Sequence, residues 1–369
     1  MNSFLNFQSK NVFIFSILFS VLYIFFTNIF FDFEKSLIYG AADGATYMEI
    51  TKNFPNFEKN DLAYTHNQRF LGPYLIGFIN SFTSIDFFLI YRGVTIILFF
   101  LILYLFYKNL SFLKVGYLEM YFALSLIIFN PYLLRYYIAL PTLINDLIFI
   151  LCTQLLIYSF FSKNKLFSHL GVYLSFFARQ TGVFFLITFL IQRIYLKKKS
   201  FINWNDLGIF IIVFIIILFF NNYHADIASG GGAFFSDHSG DVYGLLLFLY
   251  SNFDLDKLIK FLIFPLLNWA PILLLCLIRK FEINEKFKET TGFIIISSIL
   301  IFSQPILAGP EVASKNIIRL TNLAYPMVLL FIFCNSSFRL KKTKIILLLS
   351  SMLFFLWSSH PTYSIFSFL

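Results

Sequence analysis

Asp43 lies in the stretch Tyr39-Gly-Ala-Ala-Asp43-Gly-Ala-Thr-Tyr47, a single carboxylate among neighbours small enough to let a ligand approach it. An aspartate in that setting can take a proton from a substrate hydroxyl. The plainer alternative is an Asx-turn, with Asp43 capping a helix over residues 45–53. Arg69, in Gln68-Arg69-Phe70-Leu71-Gly72-Pro73-Tyr74, either snorkels to lipid phosphates or holds a phosphate or sugar with its guanidinium. Arg179 interrupts a long apolar run at Arg179-Gln180-Thr181-Gly182. Lys315 and Arg319 are four residues apart, so a helix would put both cations on one face, as a phosphate site or a headgroup contact. Arg135, within Pro131-Tyr-Leu-Leu-Arg135-Tyr136-Tyr137, is expected nearer the surface in a structural role. His224, Asp226, Asp237, His238 and Asp241 hold metal-ligand types, but their spacing matches no closed metal site, so no metal and no cofactor is expected. The chain has no P-loop, nucleophile elbow, Cys/His zinc pattern or dinucleotide fingerprint.

These residues are carried by a chain built for lipid. Of 369 residues, 59% are hydrophobic and 13% charged, and Phe occurs 54 times. No single soluble core could cover that much apolar surface, and disordered chains are poor in such residues. Cys152, Cys276 and Cys334 lie inside apolar runs, which excludes a disulfide scaffold. The net charge of +9 comes from short basic runs between apolar segments, the pattern of membrane-protein loops and not of a nucleic-acid partner. The first apolar run is expected to be a retained span and not a cleaved leader.

Apolar runs lie near 12–31, 87–107, 116–133, 143–161, 166–196, 207–222, 258–278, 291–308, 320–334 and 343–359. A helix needs about 20 residues to cross the hydrocarbon core. The run 166–196 has lysines at both ends, Lys163 and Lys165 before it and Lys197, Lys198 and Lys199 after it. It is therefore expected to go out and come back, with Arg179 at the turn. Each arm gives only about 20 Å of helix, so the turn sits below the surface. Irregular backbone is tolerated there only within protein or along a wet cavity, and an Arg costs at least about 2.5–3.5 kcal/mol unless an anion meets it. Asp146, near the end of the fourth span, is the candidate partner within the chain; an anionic substrate is the other.

The expected fold is thus an all-α, polytopic membrane protein of about eleven transmembrane helices, N-terminus inside and C-terminus outside. This orientation puts most of the 28 basic residues inside, where basic residues belong. A polar outer loop is expected over residues 32–70, a short interfacial helix over 71–82, and a glycine-rich outer loop over about 221–241. Internal repeats, coiled-coil heptads and linkers to a soluble domain are not evident, so residues 1–369 read as one transmembrane domain.

The first-loop Asp, the loop-ending Arg before Gly-Pro, the Arg-x-Thr-Gly hairpin and an Arg several residues before Pro326 together resemble the GT-C superfamily of integral-membrane glycosyltransferases. The resemblance is nearest to prokaryotic multi-span members related to dolichyl-phosphate-mannose-dependent mannosyltransferases. It covers most of the first seven spans, a core module over residues 1–222, and returns near Arg319 among more variable C-terminal spans, residues 223–369. The resemblance implies an inverting transferase at the outer face of a prokaryotic plasma membrane. Its donor would be a polyprenyl-phosphate-linked sugar, and its acceptor a glycan, lipid or protein. Asp43 would match the carboxylate that activates the acceptor hydroxyl, Arg179 and Arg319 cations near the donor phosphate, and Tyr47 and Arg69 lining residues. Many members carry an acidic pair where this chain has Asp43-Gly44, which argues against a metal-assisted version. Competing readings are a transporter or lipid-linked-glycan flippase, which would use Arg179 along a substrate path, and an outer-face polysaccharide polymerase.

Overall fold

A chain in lipid must satisfy its backbone hydrogen bonds within each segment, and helices do this. The computed structural model describes residues 10–28, 44–56, 64–196, 200–228, 244–251, 253–278, 285–312, 317–334 and 341–359. Every regular element among them is helical. In chain order these are α1 (Lys10–Asn28), α2 (Gly44–Lys52), α3 (Tyr64–Asn67), α4 (Leu71–Thr83), α5 (Phe87–Phe112), α6 (Tyr117–Phe129) and α7 (Leu134–Ala139). Next come α8 (Ile144–Ser162), α9 (Lys165–Ala178), α10 (Val183–Leu196), α11 (Trp204–Ala228) and α12 (Gly244–Ser251). The last are α13 (Leu255–Ile278), α14 (Lys288–Val312), α15 (Ile317–Asn322), α16 (Tyr325–Cys334) and α17 (Lys341–Ser359). Short 3-10 turns join α7 to α8 (Pro141–Leu143) and α9 to α10 (Gln180–Gly182).

Among the described residues, seven stretches are long and apolar enough to cross a membrane: Lys10–Thr27, Phe87–Phe112, Pro141–Ser162, Trp204–Ala228, Leu255–Leu277, Glu285–Gly309 and Ile317–Cys334. Shorter apolar helices stand at Tyr117–Phe129, Gln180–Leu196 and Ile345–Leu356. Burial ranks them by position. Pro141–Ser162 is 89% buried and forms the axis, whereas Lys10–Thr27 is 22% and Trp204–Ala228 is 28% buried, so both are peripheral. α8 packs against α5, α9, α14 and α16. The rings of Phe149, Phe185, Phe293, Phe189 and Phe160 join α8, α10 and α14, with successive centroids 5.1–6.0 Å apart. The outward faces are apolar as well: Phe15, Phe19, Leu22 and Phe26 on α1, and Ile212, Ile216 and Phe219 on α11, are all exposed. Water would penalise such a belt, and hydrocarbon does not.

Two boundaries differ from those expected of the sequence. The expected span 116–133 stops at Phe129, because Pro131 cannot continue the helix and the Asn130 side chain accepts the Tyr132 amide at 2.9 Å. The glycine-rich loop was expected from residue 221, but α11 runs on to Ala228. Asn221, His224, Ala225 and Ala228 are all buried, an i, i+3, i+4, i+7 stripe packed towards α3, so tertiary contact extends the helix through polar residues. The segment 71–82 is indeed helical, with Gly72, Pro73, Tyr74, Ile76 and Gly77 buried on one side of α4.

The continuation of α11 can be tested by overpacking. Ala225 is fully buried, so Ala225→Leu should cost about 1–3 kcal/mol. Ile216, 60% exposed on the same helix, should tolerate Ala within about 0.5 kcal/mol. The Tm of the two purified variants checks both; equal shifts would place residue 225 outside the packed helix.

Candidate functional site

Two glycines allow the backbones at this site to meet. α9 ends where Arg179 takes an extended conformation (φ −154°, ψ 146°), and the turn Gln180–Gly182 restarts the helix as α10. A Cβ at Gly182 would lie 2.5 Å from the Ser175 carbonyl oxygen, so a larger residue would push the hairpin open. At Gly72 a Cβ would strike the Asn145 side chain. Instead the Gly72 amide donates to Asn145 Oδ1 at 3.1 Å, and Asn145 Nδ2 donates to the Arg69 carbonyl at 2.6 Å. One side chain in the first turn of α8 thereby clamps the α3–α4 corner beside its neighbour, Asp146.

Asp146 joins three parts of the chain. Arg179 Nη1 donates to its Oδ1, and Arg319 Nε lies 3.5 Å from its Oδ2. The Tyr137 hydroxyl approaches the same Oδ2 at 3.5 Å. All four residues are buried; Asp146 and Arg179 are 3% exposed and Arg319 is 5%. Arg69 and the Tyr47 phenol are within electrostatic reach of Arg179. Two guanidiniums thus engage one carboxylate, and a third lies within electrostatic reach of Arg179. In a medium of low polarisability such buried charges are costly unless they are matched. Arg179 Nε has no hydrogen-bond partner among the described residues.

A ladder of side-chain amides holds the turn. Arg69 Nε donates to Gln180 Oε1 at 3.0 Å, Gln180 Nε2 to Gln68 Oε1 at 2.7 Å, and Gln68 Nε2 to Asn222 Oδ1 at 2.7 Å. Behind it His224 meets the Asn67 carbonyl at 2.7 Å and the Tyr74 hydroxyl at 3.2 Å, and stacks on Phe70 with centroids 4.4 Å apart. On the far side, Asn322 fixes α15 beneath Arg319: its Nδ2 donates to the Tyr132 carbonyl at 3.0 Å and its Oδ1 accepts from Asn268 at 2.6 Å.

Of the residues singled out in the sequence, Tyr47, Arg69, Asp146, Arg179 and Arg319 come together here. Asp43 and Lys315 lie outside the described residues, as do Asp237, His238 and Asp241. His224 belongs to the packed amide network and not to a glycine-rich loop. Arg135 was expected near the surface; it is 1% exposed and among the largest fully buried side chains. Its neighbours Tyr136 and Tyr137 point α7 inward, so the short helix is sunk among α1, α5, α6 and α8. Sequence reasoning did not single out Tyr137, Asn145, Gln68, Gln180 and Asn222. Uncharged hydrogen-bonding residues are ordinary at helix ends; sequence adjacency to Arg135, Asp146, Arg69 and Arg179 hinted at the first four, and nothing hinted at Asn222. No protein-family model, no curated protein and no solved structure matches the chain.

Removing the shared carboxylate leaves two buried cations facing each other. Asp146→Asn should therefore lower stability by about 3–5 kcal/mol, the cost of breaking a buried pair. Adding Arg179→Gln to it should recover part of the loss, because one uncompensated charge disappears. Thermal unfolding of the single and double variants in one detergent measures both; additive losses would mean that the two groups do not interact.

Proposed function

We propose that the chain is a GT-C-type integral-membrane glycosyltransferase that takes a sugar from a polyprenyl-phosphate donor and inverts the anomeric carbon. The observation that carries this reading is Arg179 Nε, a buried donor at Asp146 with no hydrogen-bond partner among the described residues. Arg319 engages the same carboxylate, and Arg69 is within electrostatic reach of Arg179. A donor phosphate accepts from the unpartnered nitrogen. It gains a further charge as the bond between the sugar carbon and the phosphate oxygen breaks, and preorganised cations stabilise that development. Asp146, whose oxygens are already engaged by Arg179, Arg319 and Tyr137, holds the guanidiniums in place and takes no proton in this scheme. The acceptor hydroxyl gives its proton to Asp43 as its oxygen bonds to the sugar carbon. Tyr47, buried on α2 directly after that aspartate, and Arg69 line the sugar side.

In this reading the shorter helices α6, α9, α10 and α17 join the seven long ones to give eleven passes, N-terminus inside and C-terminus outside. The site then faces the outer leaflet of a prokaryotic plasma membrane, without a cofactor, and takes a glycan, lipid or protein acceptor. The second reading is a transporter or flippase. The Arg179–Asp146 pair at a helix break favours it, since paired charges at such breaks mark substrate paths. Against it, the gathered arginines favour holding an anion over releasing it.

Proteoliposomes supplied with radiolabelled polyprenyl-phosphate hexoses and a membrane lipid extract as acceptor source test the proposal. Wild-type protein should transfer label, and Asp43→Asn should keep its Tm while losing at least about 100-fold in rate, the usual weight of a general base. Arg179→Gln should lose transfer too. Unchanged transfer by Asp43→Asn would remove that residue from the mechanism. Label crossing the bilayer unreacted, equally in wild type and Asp43→Asn, would establish the transporter instead.

A further inference from the structure

The ends of α5, α8, α10 and α14 meet at the side of the bundle opposite Asp146. Phe112 closes α5, Lys163 follows α8, Leu196 closes α10, and α14 starts at Lys288 after the 3-10 turn Glu285–Phe287. Along α8, about 25 Å of helix separates Lys163 from Asp146. The apolar stretches Phe87–Phe112, Pro141–Ser162 and Glu285–Gly309 all begin or end here, which puts these residues at the level of the lipid headgroups.

A cavity of about 770 Å³ opens among them. Lys163, Lys286 and Lys288 line it, together with Glu285 and Glu289. Phe112, Phe161 and Phe287 form its aromatic wall, with successive ring centroids 5.8 and 5.7 Å apart. Glu289 is engaged by the protein: its carboxylate accepts from the Phe201 amide and from the Ser200 hydroxyl at 3.3 Å, and Lys163 Nζ stands 3.8 Å away. The Lys163 side chain is 66% exposed. Lys288 pairs with Glu285 at 3.2 Å, and these side chains are 47% and 77% exposed. Exposed pairs of this kind contribute little, so both ammonium groups can turn to another anion at small cost.

A second cavity, of about 360 Å³, shares Tyr195, Leu196 and Lys288 with the first and so continues it. It is a slot between α10 and α14, lined by Ile191, Gly292, Ile295 and Ile296. From Lys288 to Ile296 it follows α14 for about 12 Å into the apolar span. Gln192 Nε2 donates to the Glu289 carbonyl at 2.7 Å and ties the two helices together at the head of the slot. A Cβ at residue 292 would lie 3.3 Å from that nitrogen, so glycine keeps the helices close there. Ile191 and Ile295 are exposed, and the slot is open along the flank of the bundle.

We propose that these joined cavities bind an anionic phospholipid of the surrounding bilayer, its phosphate among Lys163, Lys286 and Lys288 and one acyl chain in the slot. The lining runs in the same order as the lipid in its leaflet, with charge at the boundary and hydrocarbon below it. A soluble phosphate compound would leave the apolar slot empty, and an uncharged lipid would gain nothing from the lysines. Basic side chains at a membrane surface favour anionic lipids. In the orientation proposed above this is the inner leaflet. The inference does not depend on the transferase reading, because the site lies at the other end of α8 from Asp146.

The full chain, reconstituted in phosphatidylcholine nanodiscs with a minor fraction of phosphatidylglycerol, is released and weighed by native mass spectrometry. Wild-type protein should retain phosphatidylglycerol in preference to phosphatidylcholine. The double variant Lys163→Gln with Lys286→Gln should lose about 30-fold of that preference, the combined effect of two basic side chains near a membrane surface. Ile295→Trp, which fills the slot and leaves all three lysines, should lose the bound lipid while its Tm stays at the wild-type value. Equal retention of the two lipids by wild type would overturn the proposal, as would undiminished phosphatidylglycerol in the lysine variant or in Ile295→Trp. Displacement of the lipid by millimolar glycerol 3-phosphate would also overturn it, by assigning the chamber to a soluble anion.

Discussion

One carboxylate at the start of α8 organises this molecule. Asp146 receives Arg179 from the broken hairpin and Arg319 from α15, and it lies in the most buried of the long apolar stretches among the described residues. Each guanidinium alone at that depth would be prohibitive, and the carboxylate alone equally so. Together they are tolerable, but only with the three chain segments in register. The amides that surround them serve the same constraint. Asn145 fixes the α3–α4 corner to α8, Gln180 and Gln68 bridge the hairpin turn to Arg69, and Asn322 seats α15. Buried polar networks contribute little net stability, but they penalise every arrangement that leaves a member unmatched.

The rest of the bundle is comparatively indifferent to detail. Its aromatic core around Phe149, Phe185 and Phe293 is held by packing, which tolerates changes that conserve volume. Its outer faces meet lipid, where Phe, Ile and Leu are interchangeable. The polar cluster therefore defines a single geometry within an otherwise permissive scaffold. It also concentrates the unusual chemistry at one end of α8, beside α2, α4 and the break between α9 and α10. The two buried cation systems differ in one respect. Arg179 and Arg319 share an anion from within the chain, whereas Arg135 has no ion pair among the described residues.

The sequence by itself determined the solvent and the punctuation. A 59% hydrophobic chain with apolar runs near 20 residues has lipid as its medium, and helices follow because backbone groups find no partner there. The break at Arg179-Gln180-Thr181-Gly182 and the corner at Gly72-Pro73 were legible because charge and small residues interrupt apolar runs. Tertiary structure decided which charges meet. Its place near the end of the fourth span made Asp146 a candidate partner for Arg179, 33 residues away, but that Arg319 shares the same carboxylate was decided only by packing. It also decided that α11 continues through Asn221 and His224, since burial against α3 overrides their polarity. The depth of Arg135 followed from the packing of α7 among four helices, which no periodicity reports. Local pattern records whether a residue suits lipid or water; electrostatic pairing depends on distances in space, and those exist only after the helices have packed.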